Sequence, residues 1–192
     1  DVLAFKNEKL QLSNLKIIFT SFISYAFANS IGLSGLTGSG LRINLYSLWN
    51  VPYKSIIKVI KFCYVSFWVG LLWVGGLFLT FEPVDLTRFN FYFDTTKEVG
   101  IILLIIAASY SAHKVFSKKK SLEISVFQIL ISLLDWILVS GLIYIFLPHS
   151  DTLTFIKFFP IFLSAQIIGV LSNLPGGIGA FDYVFLTLMG KY

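Results

Sequence analysis

The stretch from Ile124 to Leu147 reads ISVFQILISLLDWILVSGLIYIFL and holds a single acidic or basic residue, Asp135. A helix needs roughly 20 apolar residues to cross the ~30 Å hydrocarbon core of a bilayer, and this run exceeds that length. Val59–Phe81 meets the same requirement and carries Trp68 and Trp73. Three shorter runs, Ile17–Leu33, Val99–Phe116 and Thr154–Leu171, sit near the lower limit of about 17 residues and need neighbouring helices to support them. The expectation is an all-α integral membrane protein with about five spans.

Composition agrees. Of 192 residues, 56% are hydrophobic and only 13% are charged, against about a quarter charged in ordinary soluble domains. A chain with so little charge cannot clothe a water-facing surface. The net charge of +5 does not point to nucleic acid, because most lysines flank apolar runs instead of forming one basic face. Cys63 is the sole cysteine and lies inside an apolar run, so neither an internal disulfide nor a thiolate metal cluster is expected. It reads as a small buried hydrophobe. The chain starts at Asp1, ends just after an apolar segment at Tyr192, and shows no signal-peptide pattern. Residues 1–192 read as part of a polytopic membrane domain within a longer polypeptide.

Loop charge orients the spans. Lys114, Lys118, Lys119 and Lys120 separate the third and fourth runs; Lys54, Lys58 and Lys61 lie at the start of the second; Lys6, Lys9 and Lys16 precede the first. The remaining connections carry few cations. The positive-inside rule makes the lysine-rich ends cytoplasmic, with the second and fourth runs travelling outward and the third and fifth inward. The first run also leaves the cytoplasm, so Ser34–Trp49 must re-enter the membrane and return.

That returning stretch contains Gly38-Ser39-Gly40-Leu41-Arg42-Ile43-Asn44-Leu45-Tyr46, and near the other end stands Leu174-Pro175-Gly176-Gly177-Ile178-Gly179-Ala180-Phe181-Asp182. Aligning Gly38 with Gly177 also aligns Gly40 with Gly179, and each pair is followed by an ionisable residue and then aromatics. Irregular backbone survives at membrane depth only inside protein or beside a watery cavity. Two such segments entering from opposite faces are a signature of transporters built from inverted repeats. Close helix packing by small residues is the competing explanation for the same glycines.

Charge inside a span is costly, about 2.5–3.5 kcal/mol for an aspartate at a helix centre on insertion scales. Asp135 should therefore face a bundle interior or cavity. Arg42 can bind phosphate oxygens through paired hydrogen bonds, while Asp135 and Asp182 can hold ammonium groups. An internal Arg–Asp pair that only fixes packing is the alternative. Asn44 and Tyr46, with Asn29, Gln166 and Asn173, either line a polar path or bond between helices. His113 and His149 lack the companions of a metal site. No catalytic motif, cofactor fingerprint or metal cluster is recognised.

Residues Phe22–Lys61 and Gln166–Gly190, above all the two glycine motifs, resemble the transmembrane region of the bacterial lysylphosphatidylglycerol synthase/flippase, the multiple peptide resistance factor. The intervening spans match mainly in number and spacing. The resemblance implies a multi-pass protein of the bacterial cytoplasmic membrane that translocates aminoacylated phosphatidylglycerol, contributing to resistance against cationic antimicrobial peptides. It implies membrane phospholipids as partners, namely phosphatidylglycerol and its aminoacylated form, and no nucleic-acid contact by this region. Lysyltransferase activity would belong to a soluble synthase domain outside these residues. Two alternatives stay open: a membrane scaffold for such a synthase, or a transporter of another lipid or a polyprenyl-linked substrate. Self-association is left open as well.

Overall fold

The computed structural model describes residues 1–31, 34–84, 96–116, 122–148, 152–172, 174 and 177–190. Among these, the regular structure is entirely helical: α1 (Val2–Asn7), α2 (Asn14–Ile31), α3 (Ser34–Leu48), α4 (Tyr53–Phe81), α5 (Thr96–Phe116), α6 (Leu122–Phe146), α7 (Phe155–Leu171) and α8 (Ala180–Met189). The five apolar runs correspond to α2, α4, α5, α6 and α7. Among the described residues, two helices are long and apolar enough to cross a membrane, α4 throughout and α6 over Val126–Phe146. Only 17% of that α6 stretch is buried. A helix apolar on all sides and mostly uncovered suits a lipid surround, not water.

Neighbouring pairs give the direction of each helix. Glycine lets α4 and α5 approach closely: a Cβ on Gly76 would lie 3.0 Å from the Leu104 nitrogen, and one on Gly100 would lie 2.7 Å from the Thr80 nitrogen. As one partner's number rises the other's falls, so the two helices are antiparallel. Between α4 and α6 both numbers rise together: Gln128 Nε2 donates to Ser66 Oγ, and one turn on, a Gly70 Cβ would lie 2.8 Å from the Ser132 carbonyl oxygen. These helices are parallel. Tyr144 on α6 meets Phe155 and Phe158 on α7, beyond a short connection, so α7 turns back. The alternation matches the order inferred from the lysine-rich loops.

Two helical hairpins flank this array. In the first, Gly38 of α3 lies against Ser24 and Ala28 of α2, and Tyr46 lies against Ser21; α3 therefore runs back along α2, as expected for the returning stretch. In the second, Gly169 of α7 lies against Phe181 of α8, while Phe158 meets Phe185. Tyr46 clusters with Ile56 and Val59 while Ser39 shares a cavity lining with Phe67, so α3 runs antiparallel and α2 parallel to α4. Helix α7 is antiparallel to α4, and the hairpins point in opposite directions.

Gly38 and Gly40 lie within the continuous helix α3 and not at a break, contrary to the expectation of a broken segment there. Gly177 and Gly179 instead precede α8, with φ of +70° and +87°. The aligned glycines thus occupy different conformations. Pro175 and Gly176 lie outside the described residues.

The main core joins α4, α6 and α7 through Leu71, Val74, Trp136, Phe158, Phe159 and Phe162. A second core, at the lysine-rich end, gathers Phe5, Ile17, Tyr46, Ile56 and Val59. It anchors α1, which was not anticipated from the sequence, against α2, α3 and α4.

Candidate functional site

Helix α3 brings Gly38, Arg42 and Tyr46 to one face, because residues four apart stack along a helix. With only hydrogen at Gly38, α3 settles onto α2; a Cβ there would come within 3.0 Å of Ala28 Cβ and 3.2 Å of the Ser24 carbonyl oxygen. That close approach presses Arg42 inward. Its Nε donates to Asp1 Oδ2 at 2.9 Å and its Nη2 to Asp1 Oδ1 at 3.2 Å. Tyr46 donates its hydroxyl to the same Oδ2 at 2.7 Å, and the Cys63 thiol donates to Oδ1 at 3.1 Å. Four donors converge on one carboxylate, whose side chain is 2% exposed. Multiple charge-assisted bonds of this kind compensate for burying the charge.

The remaining surface of Arg42 borders a cavity of about 200 Å³, shared with Cys63, Phe67, Asp135 and Gln166. A wider hollow of about 750 Å³ adjoins it, also bordered by Arg42 and Asp135, and extends to Asp1, Ser66 and Gln128. Its lining comes from α1, α2, α4 and α6, with Arg42 from α3. Ile18 and Phe22 of α2 and Ile131 of α6 also line it, and each is more than half exposed on the apolar flank. A few polar and charged groups therefore sit within a largely apolar hollow.

Helix α6 contributes Gln128, Ser132 and Asp135, spaced four and three residues apart and hence on one face. Gln128 is 2% exposed. The Ser66 hydroxyl donates to the Phe62 carbonyl at 2.8 Å and accepts from Gln128 Nε2 at 2.6 Å. Gln128 Oε1 is buried with no partner among the described residues.

Sequence-derived candidates thus separate into two groups. Arg42 and Asp135 border the same cavity, with Gln166 alongside, and Asp135 is exposed. Tyr46 is fully buried and reaches the site through Asp1. Asn44 is exposed on α3. Asp182 is exposed too; its Oδ2 accepts the Gly179 N–H at 2.9 Å, capping the first turn of its own helix. It does not line the hollow around Arg42. The Asn29 side chain and Asn173 lie outside the described residues. The internal Arg–Asp pair exists, with Asp1 as the partner.

Asp1, Cys63 and Gln128 were missed as site residues. Cys63 is a donor in the network and not simply a small hydrophobe. The repeat of polar residues at 128, 132 and 135 in an otherwise apolar helix was the available signal for Gln128.

No family model matches this chain. It is 40% identical over 186 residues to an uncharacterized protein of Synechocystis sp., covering 91% of this chain and 58% of the relative. It is 28% identical over 193 residues to the inner membrane protein YbhN of Escherichia coli, covering 93% and 59%. It is also 28% identical over 192 residues to the phosphatidylglycerol lysyltransferase of Bacillus subtilis, covering 94% of this chain but 22% of that enzyme. The chain spans under three fifths of the first two relatives and about a fifth of the third. The likeness to the enzyme runs along most of this chain, well beyond the two glycine motifs.

Proposed function

We propose that this region is a five-span element of a bacterial cytoplasmic membrane protein that passes a phospholipid, aminoacylated phosphatidylglycerol, between leaflets. The observation carrying this reading is that Arg42 and Asp135, charges of opposite sign, border one cavity beside an apolar rim. The headgroup enters the hollow while its acyl chains stay in lipid along α2 and α6. Arg42 receives the phosphate and Asp135 an ammonium group. Charge within a span is retained where it serves a substrate path. Likeness to a phosphatidylglycerol lysyltransferase supports the choice of lipid, and likeness to an inner membrane protein supports the location.

The contact between Arg42 and Asp1 gives the cycle a resting state. A phosphate reaching Arg42 competes with the Asp1 carboxylate, so binding loosens α1 from the end of the hollow. The oppositely pointing hairpins provide two elements that can open alternately toward the two faces. Outward transfer of a cationic lipid would lower the negative surface charge and weaken attack by cationic antimicrobial peptides.

The test is leaflet exchange of lysyl-phosphatidylglycerol in vesicles containing the full-length protein. Arg42→Ala and Asp135→Asn should each slow exchange at least tenfold; unchanged exchange in both variants would refute the assignment. A scaffold role is the second reading, favoured by the match to part of a lysyltransferase. It requires the same variants to lower total lysyl-lipid, whereas the transport reading requires them to lower only the outer-leaflet fraction.

A further inference from the structure

The two mid-span charges of the site are met very differently. Arg42 is answered by Asp1, which comes from 41 residues away to accept two of its N–H groups. Asp135 stands at the centre of α6, is exposed, and has no hydrogen bond or ion pair with any described residue. Charged groups at that depth pair with a partner or face water, and lipid tails offer neither. The edge of the helix on which Asp135 stands is uncovered as well. Ile131, Asp135, Leu138 and Leu142 follow at spacings of four, three and four residues, which aligns them along one edge. The three apolar members are each more than half exposed. Such a repeat seats one helix against another, yet no described helix covers this edge.

We infer that a further span of the full-length chain, outside residues 1–192, seats along this edge and brings a basic or amide side chain to Asp135. The described region spans 58% and 59% of two of its relatives. The other two fifths or so provides several spans at roughly 20 residues each. A second copy is the poorer fit, because a two-fold contact along this edge would set one Asp135 carboxylate against the other. Seated there, the further span walls the hollow where Ile131 and Asp135 line it and leaves the α2 side open. Its donor holds Asp135 while no ligand does, as Asp1 holds Arg42. The inference goes beyond the function proposed above and stands whatever the hollow carries; if lipid passes, its acyl chains do so beside α2.

The test places the photoreactive amino acid benzoylphenylalanine at Ile131 or Leu138 of the full-length protein in its native membrane. Both positions are exposed, so the substitution leaves the packing of α6 on α4 intact. Illumination, digestion and mass spectrometry then identify what each position touches. A mixture of isotopically light and heavy chains separates contacts within one chain from contacts between copies. Cross-links to a stretch of the same chain outside residues 1–192 should outnumber lipid adducts about threefold or more at both positions. Replacing the Lys, Arg, His, Asn or Gln of that stretch nearest the cross-link by Leu should lower the melting temperature, and adding Asp135→Leu should largely restore it. Adducts only to lipid, to a second copy or to residues 1–192 would overturn the inference, as would a covering stretch with no such side chain or no restoration by Asp135→Leu. None of these readouts involves leaflet exchange, so failure of the transport reading is told apart from failure of this one.

Discussion

The two helical hairpins carry similar glycine motifs and put them to different use. In the α2–α3 hairpin the glycines lie inside a helix. Gly38 allows close approach, and the hairpin's polar face carries Arg42 and Tyr46 into a network with Asp1. In the α7–α8 hairpin the glycines shape the bend itself, with Gly177 and Gly179 at positive φ. Asp182 is consumed in capping the following helix, and the interior is aromatic, with Phe162, Phe181 and Phe185 in contact. Short sequence likeness therefore reports a shared need for small residues where helices turn and pack. It does not report a shared job for the charge that follows.

Substitutions can break this contrast, starting with the largest effect. Arg42→Ala strands a nearly buried carboxylate, and breaking a buried pair in this way costs about 3–5 kcal/mol. Thermal unfolding of the purified protein should show a large loss, mostly restored by adding Asp1→Asn. No restoration would mean that Arg42 stabilises through packing alone. Gly177→Ala comes next. A Cβ there meets Gly169 Cα at 3.1 Å on a left-handed backbone, and such a conformation costs a non-glycine residue about 1–3 kcal/mol. Gly38→Ala also crowds its neighbour, but the crowding is offset by alanine's better helix propensity, worth about 1 kcal/mol. Its melting temperature should fall less than that of Gly177→Ala; the reverse order would undo the distinction between an interhelical contact and a bend.

Asp182→Ala should cost only about 0.5–1 kcal/mol, the worth of a modest cap, and leave lysyl-lipid exchange within twofold of wild type. A tenfold loss of exchange would return Asp182 to the substrate path. The smallest effect is expected at Gly40. A Cβ there meets nothing within 4 Å, so Gly40→Ala should raise stability by up to about 1 kcal/mol. A loss instead would show that α3 must bend at that position.

Much of the architecture was legible because it follows from bulk patterns. Apolar run lengths located α2, α4, α5, α6 and α7, and lysine placement implied their alternating directions. The reversal into α3 followed by elimination, since Lys16 and Lys54 had to share a side. The site was only half legible. Insertion cost called for Asp135 to face an interior or a cavity; it borders a cavity with Arg42 yet stays exposed. What periodicity could not supply was the partner of Arg42, because Asp1 is 41 residues away in sequence and meets it only once α1 folds under the hairpin. Asp182 was misleading for a local reason. An aspartate three residues beyond a helix-capping glycine can satisfy that glycine's own N–H, and it does so before any distant group is considered. Gln128 resembles a routine interhelical polar residue, and its Nε2 does bond to Ser66 of α4.

The measurement that most directly tests whether Arg42 and Asp135 serve one ligand is a pair of double-mutant cycles on lysyl-phosphatidylglycerol exchange. One combines Arg42→Lys with Asp135→Asn, the other Arg42→Lys with Asp182→Asn. Residues acting on one ligand should be strongly non-additive, so the first double variant should be little slower than its worse single variant, while in the second the effects should simply multiply. Independent effects at Arg42 and Asp135, together with strong coupling between Arg42 and Asp182, would contradict the site described here.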